Sequence, residues 1–235
     1  MITVRPAAER GAANFGWLDA KHTFSFGEYH DPEHMGFASL RVINEDRIEP
    51  GQGFGTHPHR DMEIITYIIE GALEHKDSMG NGAVMKRGDV QHMTAGTGVL
   101  HSEFNHSNDE LVHLLQIWIL PGQKGLAPGY EEKTFNDDQK KNQLRLIASP
   151  DGGDNSLIVN QDISLYASML DKGVTVTHRF DAGHNGWLQV VRGTVDINGE
   201  QIGDGDGAAI EKTESLEIKA TTNAEFLIFD MGSIL

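Results

Sequence analysis

Cysteine is absent from this chain of 235 residues. That excludes disulfides, thiolate metal sites, iron–sulfur clusters and cysteine nucleophiles together. Basic residues are scarce: 19 Lys and Arg stand against 35 Asp and Glu, a formal charge of −16 at pH 7. A surface of that sign repels phosphate backbones and anionic headgroups, so direct contact with nucleic acid or membranes is not expected. Long apolar runs are also missing. The densest, residues 111–120, is broken by His113 and Gln116 and falls well short of the ~20 residues that a bilayer span needs. Residues 1–6 carry no apolar signal-like core, and a cytoplasmic protein is the expectation. What the chain has in quantity is glycine, 27 residues against 7 prolines, and 12 histidines, seven of them between His57 and His113.

Between the glycines lie short segments of β-branched and aromatic residues, such as 64–69, 114–119, 187–191 and 226–229. Segments of this length bounded by turn residues predict strands of a sandwich or barrel, and no sustained helical period competes with them. The fold class is therefore all-β. Residues 77–82 and Asn198-Gly199 read as hairpin turns. The polar stretch 136–142 lacks apolar anchors and reads as a linker or a short exposed helix, which places a boundary between a domain at 1–135 and a domain at 136–235. The halves echo each other. An apolar strand ending at Gly71 is followed by Gly88-Asp89, and one ending at Gly193 is followed by Gly205-Asp206. A duplicated β-barrel accounts for that echo.

Two short patterns carry chemistry: His57-Pro58-His59 and His101-Ser102-Glu103. On a strand, residues i and i+2 share a face and lie about 6.5 Å apart. Two imidazoles, or an imidazole and a carboxylate, can then converge on one metal ion. The same spacing also suits partly exposed histidines on a polar sheet face, and spacing alone leaves both readings open.

The context is more specific. Gly51, five residues, His57-x-His59, then Glu63 and Gly71 resemble the first cupin motif. Gly88-Asp89, the turn around Gly96 and Gly98, His101 and Asn105 resemble the second. Residues 51–71, 74–81 and 93–103, with Gly16-Trp17-Leu18-Asp19 and residues 22–26, resemble the pirin family and, within it, the bacterial pirin-like quercetinase branch. The likeness is dense in the N-terminal half and looser in the C-terminal half. It implies a bicupin, two jelly-roll barrels packed together, with one divalent metal in the first barrel. The ligands carried over from the family are His57, His59, His101 and Glu103. Iron is the first metal implied, with Mn, Ni, Co, Cu or Zn as alternatives. Glu63 occupies the ligand position of general cupins, but the pirin pattern moves the carboxylate to Glu103, leaving Glu63 to support a ligand or pair with a charge.

In the second barrel, aligning Gly193 with Gly71 sets Arg179 and Asp181 where His57 and His59 stand, so no metal is expected there. His178 and His184 read as surface residues. His75 is a candidate partner for a ligand, and Gln116 for the pocket. Phe24, Phe26, Phe37 and Phe54 are candidates for an aromatic pocket wall or for the core. His22, His30, His34, His92, His106 and His113 receive no assignment.

The resemblance implies a metal-dependent quercetin 2,3-dioxygenase that cleaves a flavonol with O2 and releases carbon monoxide, with Glu103 as the proton acceptor. A flavonol-like aromatic and O2 are then its small-molecule partners. Two other readings stand beside it. One is an iron-dependent, redox-sensing regulatory cupin that binds a protein partner without turnover; the other is a cupin pair holding adventitious metal. Because ligating histidines must be neutral, metal affinity is expected to fall as pH drops through about 6.

Overall fold

The computed structural model describes residues 1–232. Its first half contains strands β1 (Ile2–Arg5), β2 (Gly11–Asn14), β3 (Leu18–His22), β4 (Leu40–Ile48), β5 (Gly53–His59) and β6 (Glu63–Glu70). It continues through β7 (Ala72–Asp77), β8 (Gly82–Lys86), β9 (Asp89–Thr94), β10 (Val99–Asn105), β11 (Val112–Ile119) and β12 (Gly129–Thr134). The second half has β13 (Arg145–Ser149), β14 (Leu157–Ile158), β15 (Ile163–Leu170), β16 (Thr175–Arg179) and β17 (Asn185–Arg192). It ends with β18 (Val195–Ile197), β19 (Glu200–Ile202), β20 (Gly207–Ile210), β21 (Ser215–Ala220) and β22 (Ala224–Met231). No helix among the described residues is long and apolar enough to cross a membrane.

The strands form two like pairs of sheets. In the first half a seven-stranded sheet, β12-β9-β6-β11-β4-β3-β2, faces a four-stranded sheet, β5-β10-β7-β8. In the second half the orders are β1-β20-β17-β22-β15-β13-β14 and β16-β21-β18-β19. The duplication read from the glycines is visible in the backbone. Gly71 and Gly193 both take φ +76, and a Cβ at either would overlap a carbonyl, that of Leu111 or Asn223. Only glycine combines that dihedral with so close an approach. One exchange crosses the halves: β1 pairs with β20 of the second sheet, from Ile2↔Ile210 to Arg5↔Gly207.

Sequence alternation decides what each face meets. In β6, Ile65, Tyr67 and Ile69 join one buried cluster with Leu165, Trp187 and Phe229 from the second half. Ile68 packs instead with Leu73 and Leu114 inside the first barrel. The large sheets therefore share a core, while each barrel keeps its own interior. The stretch after β12 is a one-turn helix, Asp137–Lys140. It is not simply an exposed linker, because Lys140 is buried. Its Nζ donates to the Tyr67 hydroxyl at 3.3 Å, which donates to Glu225 at 2.6 Å. A charge carried into the shared core thus finds hydrogen-bonding partners there.

Candidate metal centre

Strands β5 and β10 are antiparallel neighbours with His101 opposite His57 and Val99 opposite His59. A register shift between His101 and Glu103 places Glu103 opposite Phe54. Such a bulge re-aims the side chains beyond it. Gly53 lies at the same place because a Cβ there would overlap the Glu103 carbonyl. The three imidazoles converge: ring centroids are 4.8 Å apart for His57 and His59, 4.4 Å for His57 and His101, and 4.8 Å for His59 and His101. One nitrogen from each lies within 4.8 Å of the others. His57 donates Nδ1–H to the Gly55 carbonyl at 2.8 Å, leaving Nε2 as a lone pair. That nitrogen is 2.9 Å from His101 Nε2.

Glu103 stands beside this trio rather than within it. Its Oε2 is 3.9 Å from His101 Nε2, and its carboxylate forms a second group with His101 and His75, ligand atoms within 4.8 Å of one another. Gln116 explains its placement: Nε2 donates to both Glu103 oxygens at 3.0 Å. Thr66 in turn donates to Gln116 Oε1 at 3.0 Å, which fixes the amide with its donor end toward the carboxylate. These contacts belong to a row crossing the large sheet at one level, with His22 paired to Asn44, Asn44 to Gln116, Gln116 to Thr66, and Thr66 to Gln91. The polar residue in the apolar strand β11 therefore faces the barrel interior and holds an acid.

Burial sets the protonation states. It lowers His59 to about 4, helped by the neighbouring His57. It lowers His101 to about 2, with His57, His59 and His75 adding to the effect. Both rings are neutral at pH 7 and have lone pairs to offer. Burial raises Glu103 to about 7 against the opposing pull of Gln116. His75, wholly buried, is lowered by burial and its ring stacks on Tyr130 at 5.1 Å. Its Nε2 lies 3.3 Å from Asp77, while its Nδ1 and that of His101 have no hydrogen-bond partner among the described residues.

The centre opens into a cavity of about 520 Å³ whose aromatic lining includes Phe15, Phe26, Tyr29, Phe54 and Trp118. Of the four phenylalanines considered from sequence, Phe26 and Phe54 line it. Phe24 and Phe37 instead pack on Trp187 in the shared core. Trp118 stands edge-on to His59 with centroids 4.9 Å apart. It escaped the sequence reading because it comes from β11, distant in the chain from the histidine motif. His22, Asn44 and Asp46 also line the cavity, and inward alternation along β3 and β4 was the signal available for them.

Glu63 lies on the other face of its strand. Its Oε2 accepts from His92 at 2.8 Å, Thr94 at 3.1 Å, and Asn160 backbone and side chain at 3.0 and 3.1 Å. It joins the barrels rather than supporting the histidine trio. Glu63→Ala strands these donors and is expected to cost about 2–4 kcal/mol. Denaturant unfolding of the metal-free protein measures the loss, and an unchanged midpoint would contradict the role.

In the second barrel the expected positions need correction. The inward pair on β16 and the residue after it is His178 and Phe180, not Arg179 and Asp181, which are exposed. A shift of one residue exchanges the faces of a strand. His178 and His184 are not surface residues either. They bracket the buried Asp230, His178 Nε2 at 2.8 Å and His184 Nδ1 at 2.7 Å. Among the described residues, no cluster with metal-ligand spacing lies in that barrel.

Comparison with known proteins places these features in context. The family described as Pirin matches residues 3–119, and the Quercetinase C-terminal cupin domain matches residues 146–231. The chain is 51% identical over 234 residues to a quercetin 2,3-dioxygenase of Escherichia coli (strain K12), covering 100% of both chains. It is 38% identical to a pirin-like protein of Caulobacter vibrioides, over 98% of this chain and 99% of that one. The crystal structure of the bacterial pirin YhhW in complex with nickel(II), from Escherichia coli, superposes with a TM-score of 0.95 at 49% identity, covering 100% of each chain.

Proposed function

Because the chain belongs to the pirin family, we propose that it is a metal-dependent quercetin 2,3-dioxygenase, with one divalent metal held by His57, His59, His101 and Glu103. The observation that carries this reading is the convergence of three imidazoles, with a buried carboxyl beside them, on the border of a cavity with aromatic lining. The donor set fits a divalent ion. His59 and His101 are held neutral, and the tautomer of His57 leaves Nε2 free on the side of His101. Imidazole and carboxylate together suit Fe(II), Mn(II), Ni(II), Co(II), Cu(II) and Zn(II). We propose Fe(II) first, since the reaction consumes O2 and Zn(II) has no redox chemistry. That a related bacterial pirin forms a complex with nickel(II) supports a divalent ion in this protein. We also retain the division into domains at 1–135 and 136–235, with β1 exchanged onto the second.

When bound, the metal supplies Lewis acidity toward the 3-hydroxyl and 4-carbonyl oxygens of a flavonol. The chain supplies the rest. Phe26, Phe54 and Trp118 offer ring surfaces to a planar aromatic and exclude water from it. Glu103, buried beside the histidines, is the carboxylate placed to take the hydroxyl proton. Gln116 keeps both carboxyl oxygens in place while that proton arrives. The flavonol ring is then cleaved with O2 and carbon monoxide leaves.

Metal-stripped protein reconstituted separately with each of the six ions tests the proposal. Loss of flavonol absorbance through many turnovers with at least one ion, and none without metal, is expected. Failure with every ion despite stoichiometric metal binding would contradict it.

A further inference from the structure

Among the described residues, none donates a hydrogen bond to the enclosed Oδ1 of Asp46. Asp46 lies on β4, is 5% exposed, and lines the cavity. The residues opposite it on the adjacent strands are Ala20 and Leu114, neither of which has a donor in its side chain. The nearby donors go elsewhere: Arg10, Arg47 and His113 all bind Glu45, which points to the opposite face of the strand. A buried carboxyl without a partner is costly, and one kept in a cavity wall is placed to meet a ligand that brings its own donor. His22, two residues from Ala20, donates Nδ1–H to Asn44 Oδ1 at 2.8 Å, so its Nε2 is also an acceptor. This wall therefore offers acceptors, set among apolar lining residues such as Ala20, Phe26, Phe54 and Trp118.

We propose that Asp46 is a specificity-determining residue that accepts a hydrogen bond from a phenolic hydroxyl, so that the cavity selects flavonols bearing hydroxyl groups beyond the one at C3. The inference rests on the flavonol reading above and deepens it. A hydroxyl in that place satisfies the carboxyl, whereas a ligand lacking it leaves the carboxyl buried and unpaired. Polar sites discriminate most strongly by this asymmetry.

The test is anaerobic binding, without turnover, of two flavonols to the metal-loaded protein, followed by ligand absorbance. 3-Hydroxyflavone carries only the chelating oxygen pair, whereas quercetin carries further hydroxyls. The native protein is expected to prefer quercetin by about tenfold or more. Asp46→Leu should lose that preference by weakening quercetin alone, and Asp46→Asn, which keeps an acceptor oxygen, should retain part of it. Asp46→Leu should also melt at a higher temperature than the native protein, because an unpartnered buried carboxyl has been removed. Should Asp46→Leu fail to fold, that stability expectation fails and overturns the inference. Equal weakening of both ligands, or an unchanged preference, would also overturn it while leaving the flavonol reading intact. Binding of neither flavonol by the native protein would remove that reading and the inference together.

Discussion

His101→Ala should abolish both metal retention and flavonol turnover, with turnover falling by about 10³-fold or more. His101 is the buried member of the histidine trio, with its ring close to those of His57 and His59. Removing it splits the donors of β5 from Glu103 and leaves that carboxyl without its nearest imidazole. Losing an outer partner of a metal ligand typically costs about 10–100-fold in affinity, so losing the proposed ligand itself should cost more. His75→Ala provides the comparison. His75 lies beside His101, with centroids 5.3 Å apart, but on the side away from His57 and His59. It should retain metal with a loss of about tenfold. Metal analysis after reconstitution and desalting, together with turnover, distinguishes the two. If His75→Ala loses metal as completely as His101→Ala while His57→Ala retains it, the ion is held by the His75, His101 and Glu103 group instead.

The second large effect is the pH dependence of metal affinity, in which the buried carboxyl of Glu103 is expected to lead. The histidine spacing alone pointed to imidazole protonation near pH 6. Burial, however, keeps His59 near 4 and His101 near 2, so protons do not compete for those nitrogens until the solution is strongly acidic. Glu103 is shifted the other way, to about 7. Above that value it is a carboxylate ready to bind a cation. Below it, a proton must be displaced, and affinity should fall about tenfold per pH unit. Between pH 7 and pH 5 the loss is about 100-fold. Glu103→Gln should bind more weakly at pH 8 and show a shallower profile than the native protein between pH 7 and pH 5. Competition titrations with a chelator of known affinity at each pH measure both slopes. A slope that persists unchanged in Glu103→Gln would assign the proton to another group.

How much was readable beforehand depended on how local each signal was. His57, His59, His101 and Glu103 stood out because strand period and motif spacing act within a few residues. The duplicated barrels were readable because each needs glycine at the same tight place, Gly71 and Gly193. Contributions from distant strands were not readable. Alternation marks a face for His22 and Asp46, but the pairings of β3, β4 and β11 that bring them and Trp118 to the cavity are specified by no local pattern. Phe24 and Phe26 show the limit within a few residues. β3 ends at His22, so alternation no longer applies beyond it, and one ring enters the shared core while the other enters the cavity. Faces were the remaining difficulty. Glu63 sits in a cupin ligand position, yet its strand turns it toward Asn160. The equivalent of the His57 and His59 pair in the second barrel was read one residue out, at Arg179 and Asp181 instead of His178 and Phe180. Exchange of β1 between the halves also leaves no mark in composition.

The most direct test of the account is the stoichiometry of the reaction with native protein loaded with its most active metal. Flavonol loss, O2 uptake and carbon monoxide release are measured together over many turnovers. The account predicts one carbon monoxide for each O2 and each flavonol consumed, with all three rates lost in His101→Ala. Flavonol loss without carbon monoxide, or rates that His101→Ala leaves unchanged, would contradict it.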